Sequence, residues 1–262
     1  MIGTQIAHVG RMLCAFFALA VIMMSVSGCN TLPAGRLDAI SPNRRMQTRG
    51  MVCLLRGWRG LWSKGIDDLA AELHGHGVEA LVFRDGQWEA LAQRLVCRSR
   101  NSPRDEPLVL IGFSYGADDA IRVARRLGHN GIRVDLLITI DPVTPPPVPA
   151  NVHISVNYYQ SNGVWDLFPW LRGVPVHGEP GGPTPLNQNL KKDRQDLQEQ
   201  NTSHATIAGN ARLHREIVER LRETFATRAP ITAGATMGAY GRPLHCIRHG
   251  LRGDCRAVRD LL

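Results

Sequence analysis

Gly112-Phe113-Ser114-Tyr115-Gly116 has the clearest chemical content in this chain. It follows the apolar run Leu108–Ile111. It precedes a stretch in which Ala117, Ile121 and Ala124 share one helical face, closed by Gly128. A strand, a tight turn and a helix in that order lift a serine hydroxyl above the edge of a sheet. The hydroxyl then lies beside a helix N-terminus, which favours negative charge. The turn strains the serine backbone, so its neighbours must be small, and Gly112 and Gly116 meet that need. The chemistry this points to is nucleophilic attack by Ser114. The competing reading is a glycine-rich turn that merely packs well.

A serine hydroxyl is a weak nucleophile at neutral pH. It needs an imidazole to take its proton and a carboxylate to orient the imidazole. Asp141 stands where the apolar run Leu136–Ile140 ends and is the first candidate acid. Its other possible role is to cap a turn before Pro142. Asp166 is the second candidate. His204, in Asn201–Ile207 just ahead of the last amphipathic stretch, is the candidate base, with His177 as its rival. His74 and His76 flank an early helix end, upstream of the serine. His153 falls inside a strand, and His129 and His214 read as solvent-facing helix or turn residues.

The elements that must position these residues alternate. Met51–Leu55, Val78–Phe83, Pro107–Ile111, Val134–Ile140 and Val152–Val156 are short apolar runs, as expected of parallel strands buried on both faces. Between them lie amphipathic stretches. Ile66, Leu69, Ala70 and Leu73 share a face, with Ser63 as N-cap and Gly75 as stop. Trp88, Leu91, Ala92 and Leu95 form another face, and Leu213, Ile217, Leu221 and Phe225 a last one, capped by Asn210. Strands alternating with helices predict an α/β fold with a mostly parallel sheet covered on both faces. Five prolines between Pro142 and Pro149 stiffen the exit of the fourth strand. The region 161–203 is rich in Gly, Pro, Asn and Gln and reads as a long functional loop, with Trp165, Phe168 and Trp170 in it.

With its order Ser114, Asp141, His204, the chain resembles the α/β-hydrolase superfamily over roughly Met51 to Phe225, and in particular lipase- and thioesterase-like bacterial members. The resemblance implies hydrolysis of a carboxylic ester or thioester through an acyl-enzyme. It implies an oxyanion hole made by the amides of Tyr115 and Trp58, the latter within Arg56-Gly57-Trp58-Arg59-Gly60. It implies no cofactor and no metal. Many members have His-Gly where this chain has Arg56-Gly57, which puts the second donor in question. The substrate expected is a small-molecule or lipid acyl ester. The alternative function is a non-catalytic envelope lipoprotein that uses the fold as a binding scaffold.

The first residues carry a different message. Arg11, an apolar run from Met12 to Val26 and then Val26-Ser27-Gly28-Cys29 describe a secretory signal. The run is about 15 residues, short of the ~20 that span a bilayer. Val-Ser-Gly-Cys resembles the bacterial lipobox, which implies lipidation at Cys29. The expected organisation is therefore a signal peptide over 1–28, a tether over 29–49, the hydrolase domain over 50–228 and a basic extension over 229–262. The expected location is the cell envelope, lipid-anchored and facing the periplasm, with Asn30 mildly favouring the outer membrane.

Net charge is +8, and loss of Arg11 leaves +7, which suits an anionic membrane surface. No compact Lys/Arg block with interleaved aromatics points to nucleic acid. Of the cysteines, Cys246 and Cys255 are spaced to close a small loop in an oxidising compartment, while Cys53 reads as a small buried hydrophobe.

Overall fold

The computed structural model describes residues 50–101, 106–160 and 172–227, together with Leu37 and Ile40. The expected signal segment, Cys29, the rest of the expected tether, Asp166, the aromatic trio of the long loop, the Cys246/Cys255 pair and the basic extension lie outside the described residues, whereas Ile40, within the expected tether, is buried in the core with Leu37 against it.

Six strands form one wholly parallel sheet in the order β2-β1-β3-β4-β5-β6. They are β1 Met51–Leu55, β2 Glu79–Phe83, β3 Leu108–Phe113, β4 Val134–Ile140, β5 Val152–Tyr159 and β6 Leu186–Asn189. The helices are α1 Lys64–Gly75, α2 Trp88–Asn101, α3 Tyr115–Gly128 and α4 Ala211–Thr227. Every residue of β1, β3 and β4 is buried, which is why those runs lack alternation.

The two faces of the sheet carry separate cores. Val52, Leu54, Val109, Ile111 and Ile138 meet α1 and α4 on one side. Met51, Cys53, Leu108, Leu110 and Leu137 meet α2 and α3 on the other. Alternate residues of a strand point to opposite faces, so each central strand feeds both cores. This is the doubly wound α/β architecture, a parallel sheet covered on both faces, that the alternating runs predict.

Strand β6 lies inside the region expected to be one long loop. Leu-Asn-Gln-Asn has no apolar signal. It is held instead by a partly buried polar ladder. Thr139 Oγ1 donates to Asn157 Oδ1 at 2.8 Å, and Asn157 Nδ2 donates to Asn187 Oδ1 and to the carbonyl of Val174, both at 2.9 Å. Asn187 exchanges hydrogen bonds with the backbone of Val176 at 2.8 and 2.9 Å. Polar groups taken out of water must find partners, and here two side-chain amides and one hydroxyl stitch β4, β5, β6 and the segment 174–176 together.

Two expectations about single residues are corrected. Ser63 stands at the N-cap position of α1 but makes no side-chain cap bond. Its hydroxyl instead accepts the amide of Gly57 at 3.0 Å and donates to the carbonyl of Leu61 at 3.1 Å. His214 is not solvent-facing; it is buried. Its Nε2–H donates to the carbonyl of Ala208 at 2.7 Å and its Nδ1 lies 3.1 Å from Glu72 Oε1, joining α4 to α1. Asn210 does cap α4, accepting the amide of Leu213 at 2.8 Å.

Candidate active site

The site is built at the carboxyl ends of β3 and β4. Ser114 follows β3 directly and precedes α3, with φ 56° and ψ −128°. That conformation is sparsely populated for a residue with a Cβ and costs on the order of 1–3 kcal/mol. Its neighbours show what allows it. A Cβ on Gly112 would lie 2.2 Å from the carbonyl oxygen of Gly116. A Cβ on Gly116 would lie 2.4 Å from the carbonyl oxygens of Leu55 and Arg56. Both glycines are needed because backbone packs on backbone at these points.

Asp141 follows β4, and its Oδ1 accepts the amide of Gln160 at 2.9 Å. Its Oδ2 lies 3.0 Å from His204 Nδ1, and His204 Nε2 lies 3.0 Å from Ser114 Oγ. A carboxylate can only accept, so Nδ1 carries the proton and Nε2 offers its lone pair to the serine hydroxyl. All three side chains are buried. With little water to compete, hydrogen bonds in such a chain are stronger than at the surface. His204 is also packed against rings. The Phe113 ring centroid is 5.3 Å away, and Trp62 approaches edge-on at 6.1 Å.

The structure therefore brings together Ser114, Asp141 and His204. It does not bring His177 to them: that side chain is exposed, and its carbonyl accepts the amide of Val148 at 2.7 Å.

The turn after β1 leans over the serine. A Cβ on Gly57 would lie 3.1 Å from Ser114 Cβ. The turn is locked by its own bonds, Gly60 N to Gly57 O and Leu61 N to Trp58 O, both 3.0 Å. Among the described residues, neither the amide of Trp58 nor that of Tyr115 donates to a protein acceptor. Arg56, just before this turn, points to α1. It is buried and forms a two-pronged pair with Asp67 on α1. The pair anchors the turn to α1.

Sequence reasoning missed two residues that shape the site. A Cβ on Gly173 would fall 1.9 Å from Asp141 Oδ1, so this glycine covers the acid. Asp118, buried on α3, holds the segment after Asp141. Neither belongs to a local motif; only long-range packing reveals them. The half-exposed Trp62 also borders the site, its ring edge-on to His204.

Residues 63–152 match the family model for the thioesterase domain. That stretch, less than half of the chain, contains Ser114 and Asp141 but ends before His204. No curated protein matches the chain by sequence. Among solved structures, the NocB thioesterase domain from the nocardicin cluster aligns at 14% identity and TM-score 0.41, over 67% of this chain and 95% of that one. YbtT, a type II thioesterase from the yersiniabactin pathway, aligns at 13% and 0.39, over 71% and 98%. A protein from Xanthomonas campestris pv. campestris assigned to the α/β hydrolase superfamily aligns at 17% and 0.38, over 67% and 99%. By family model, the chain is similar to thioesterase domains over the stretch that holds Ser114 and Asp141.

Proposed function

We propose that this chain is a serine hydrolase that cleaves a carboxylic ester or thioester through an acyl-enzyme. The observation that carries the reading is the continuous hydrogen-bonded chain from Ser114 Oγ through His204 to Asp141, at 3.0 Å per step. Ser114 Oγ attacks the carbonyl carbon while His204 Nε2 takes its proton. The carbonyl oxygen becomes an oxyanion between the amides of Trp58 and Tyr115. One such donor contributes about 10²–10³ in rate. As the tetrahedral species collapses, His204 returns the proton to the leaving oxygen or sulfur, and the acyl group stays on Ser114. Water then attacks the acyl-enzyme by the same route in reverse, freeing the acid. Every step uses groups of this chain. The thioesterase-domain match supports the acyl-transfer class, and the exposed indoles of Trp58 and Trp62 supply apolar surface for an acyl chain.

A fluorophosphonate probe tests this directly. The wild-type protein is expected to label, and Ser114→Ala to give no label. An unlabelled wild type would instead favour the binding-scaffold reading.

The proposed setting is the cell envelope, with the enzyme held by acyl chains on Cys29. The support is the sequence Val26-Ser27-Gly28-Cys29 after an apolar run. Buried acyl chains contribute about 0.8 kcal/mol per CH₂ to anchoring. In a bacterial host fed labelled palmitate, the protein is expected to take up label and fractionate with membranes, and Cys29→Ser to do neither. Unlabelled wild-type protein in the soluble fraction would refute the anchor and leave the hydrolase reading untouched.

A further inference from the structure

Asp118 lies one helical turn beyond Ser114, on α3, with no exposed surface. It takes no part in the scheme above. Its Oδ1 accepts the amide of Val143 at 3.2 Å, and its Oδ2 accepts the amide of Thr144 at 2.9 Å and the hydroxyl of Thr144 at 3.0 Å. Burial pushes this carboxyl up to about 6, while the bonds from Thr144 and Val143 and the nearby Arg122 pull the other way. A charge kept dry at such cost calls for a local reason.

The reason lies in what Val143 and Thr144 follow. Asp141 has φ 48°, in the left-handed region, and stands before Pro142, which steers its predecessor toward extended backbone. A non-glycine residue stays in such a conformation only when its surroundings over-determine it. On the upstream side, the amide of Asp141 donates to the carbonyl of Tyr158 at 2.8 Å. Its side chain is held by Gln160 and His204. Downstream, the amide of Val174 donates to the carbonyl of Pro142 at 3.0 Å, and the next two amides end on Asp118. Among these anchors, Asp118 alone comes from the helix that begins at the nucleophile.

We infer that Asp118 is a positioning residue: it ties the backbone just after the orienting acid to the helix that carries Ser114, and so sets the span His204 must bridge. The inference rests on the hydrolase reading of Ser114, His204 and Asp141. His204 reaches both partners at 3.0 Å, so a small drift of Asp141 away from α3 breaks one bond or the other. A displacement of about 1 Å at such a centre can cost about 10²-fold in rate.

Two variants test it. Asp118→Asn places an amide NH₂ where neighbouring donors need an acceptor. Thr144→Val removes only the hydroxyl bond. Both are assayed on a soluble p-nitrophenyl ester well above the pH at which Asp118 protonates, with rates taken per folded molecule. Asp118→Asn is expected to lower kcat by about 10- to 100-fold with KM changed less than about twofold, and Thr144→Val to lower kcat about threefold. Fluorophosphonate labelling should slow in step with kcat. A purely structural role would lower the melting temperature and leave kcat alone; that result in both variants overturns the proposal. If Asp118→Asn does not fold, Thr144→Val decides: wild-type kcat refutes the positioning role. A wild-type protein that fails to label refutes the underlying hydrolase reading instead, so the two failures are distinct.

Discussion

Asp141→Asn is expected to lower kcat on a soluble ester by about 10⁴-fold while the protein still folds. The size of the effect follows from a tautomer. The backbone amide of Gln160 donates to Asp141 Oδ1 at 2.9 Å. In the variant, the asparagine oxygen must keep that bond, because an NH₂ there would face another donor. The NH₂ group then falls opposite His204 Nδ1, which sits 3.0 Å from the second carboxylate oxygen. Nδ1 is forced to accept, and the ring proton moves to Nε2. There it points at Ser114 Oγ, so the imidazole donates where it must accept. Geometry is kept and the base is lost. Steady-state kinetics, labelling rate and a thermal melt measured together check this. A folded variant within about tenfold of wild-type kcat would make Asp141 a bystander.

Gly173→Ala should have an effect approaching the same size, from a residue with no functional group. Its added Cβ would lie 1.9 Å from Asp141 Oδ1, 2.6 Å from Cγ and 2.9 Å from Cα. Real contacts of that kind do not occur, so something must move. Asp141 has no free room, being fully buried and tied to Gln160, Tyr158 and His204. The Gly173 side is also held, since the amide of Val174 donates to the carbonyl of Pro142 and its carbonyl accepts from Asn157. The carboxylate is the smaller unit and is expected to be displaced from His204. Overpacking of this kind costs about 1–3 kcal/mol of stability. The loss of kcat should reach about 10²-fold or more, since the base loses its orienting partner. The diagnostic is a large fall in kcat in a variant whose melting temperature drops only modestly. Retention of wild-type kcat would show that the segment 173–174 moves aside freely, and that it plays no part in holding the acid.

Much of the architecture is legible in the order of residues because two signals are local. Buried parallel strands need continuous apolar runs, and Met51–Leu55, Leu108–Phe113 and Val134–Ile140 have them. The nucleophile turn needs small residues at fixed offsets, and Gly112 and Gly116 stand there. Strand β6 has no such signal, because Asn157 and Asn187 hold it through amide bonds rather than apolar contact. His214 reads as a surface residue because nothing local marks it as buried. What buries it is Ala208 and Glu72, the second of them far away in sequence.

The chain's own order determined which side chains were available for the proposed acyl transfer: a serine in a glycine-bounded turn after a strand, an aspartate at a strand exit, and a histidine ahead of the last helix. Those are consequences of covalent spacing and backbone sterics, which act over a few residues. Tertiary structure alone decided that Asp141 meets His204, that His177 stays apart, and that Gly173 packs on Asp141 while Asp118 binds the two amides just beyond Pro142. Their contacts join residues tens of positions apart, and only the folding of the sheet and its loops brings such groups within hydrogen-bonding range.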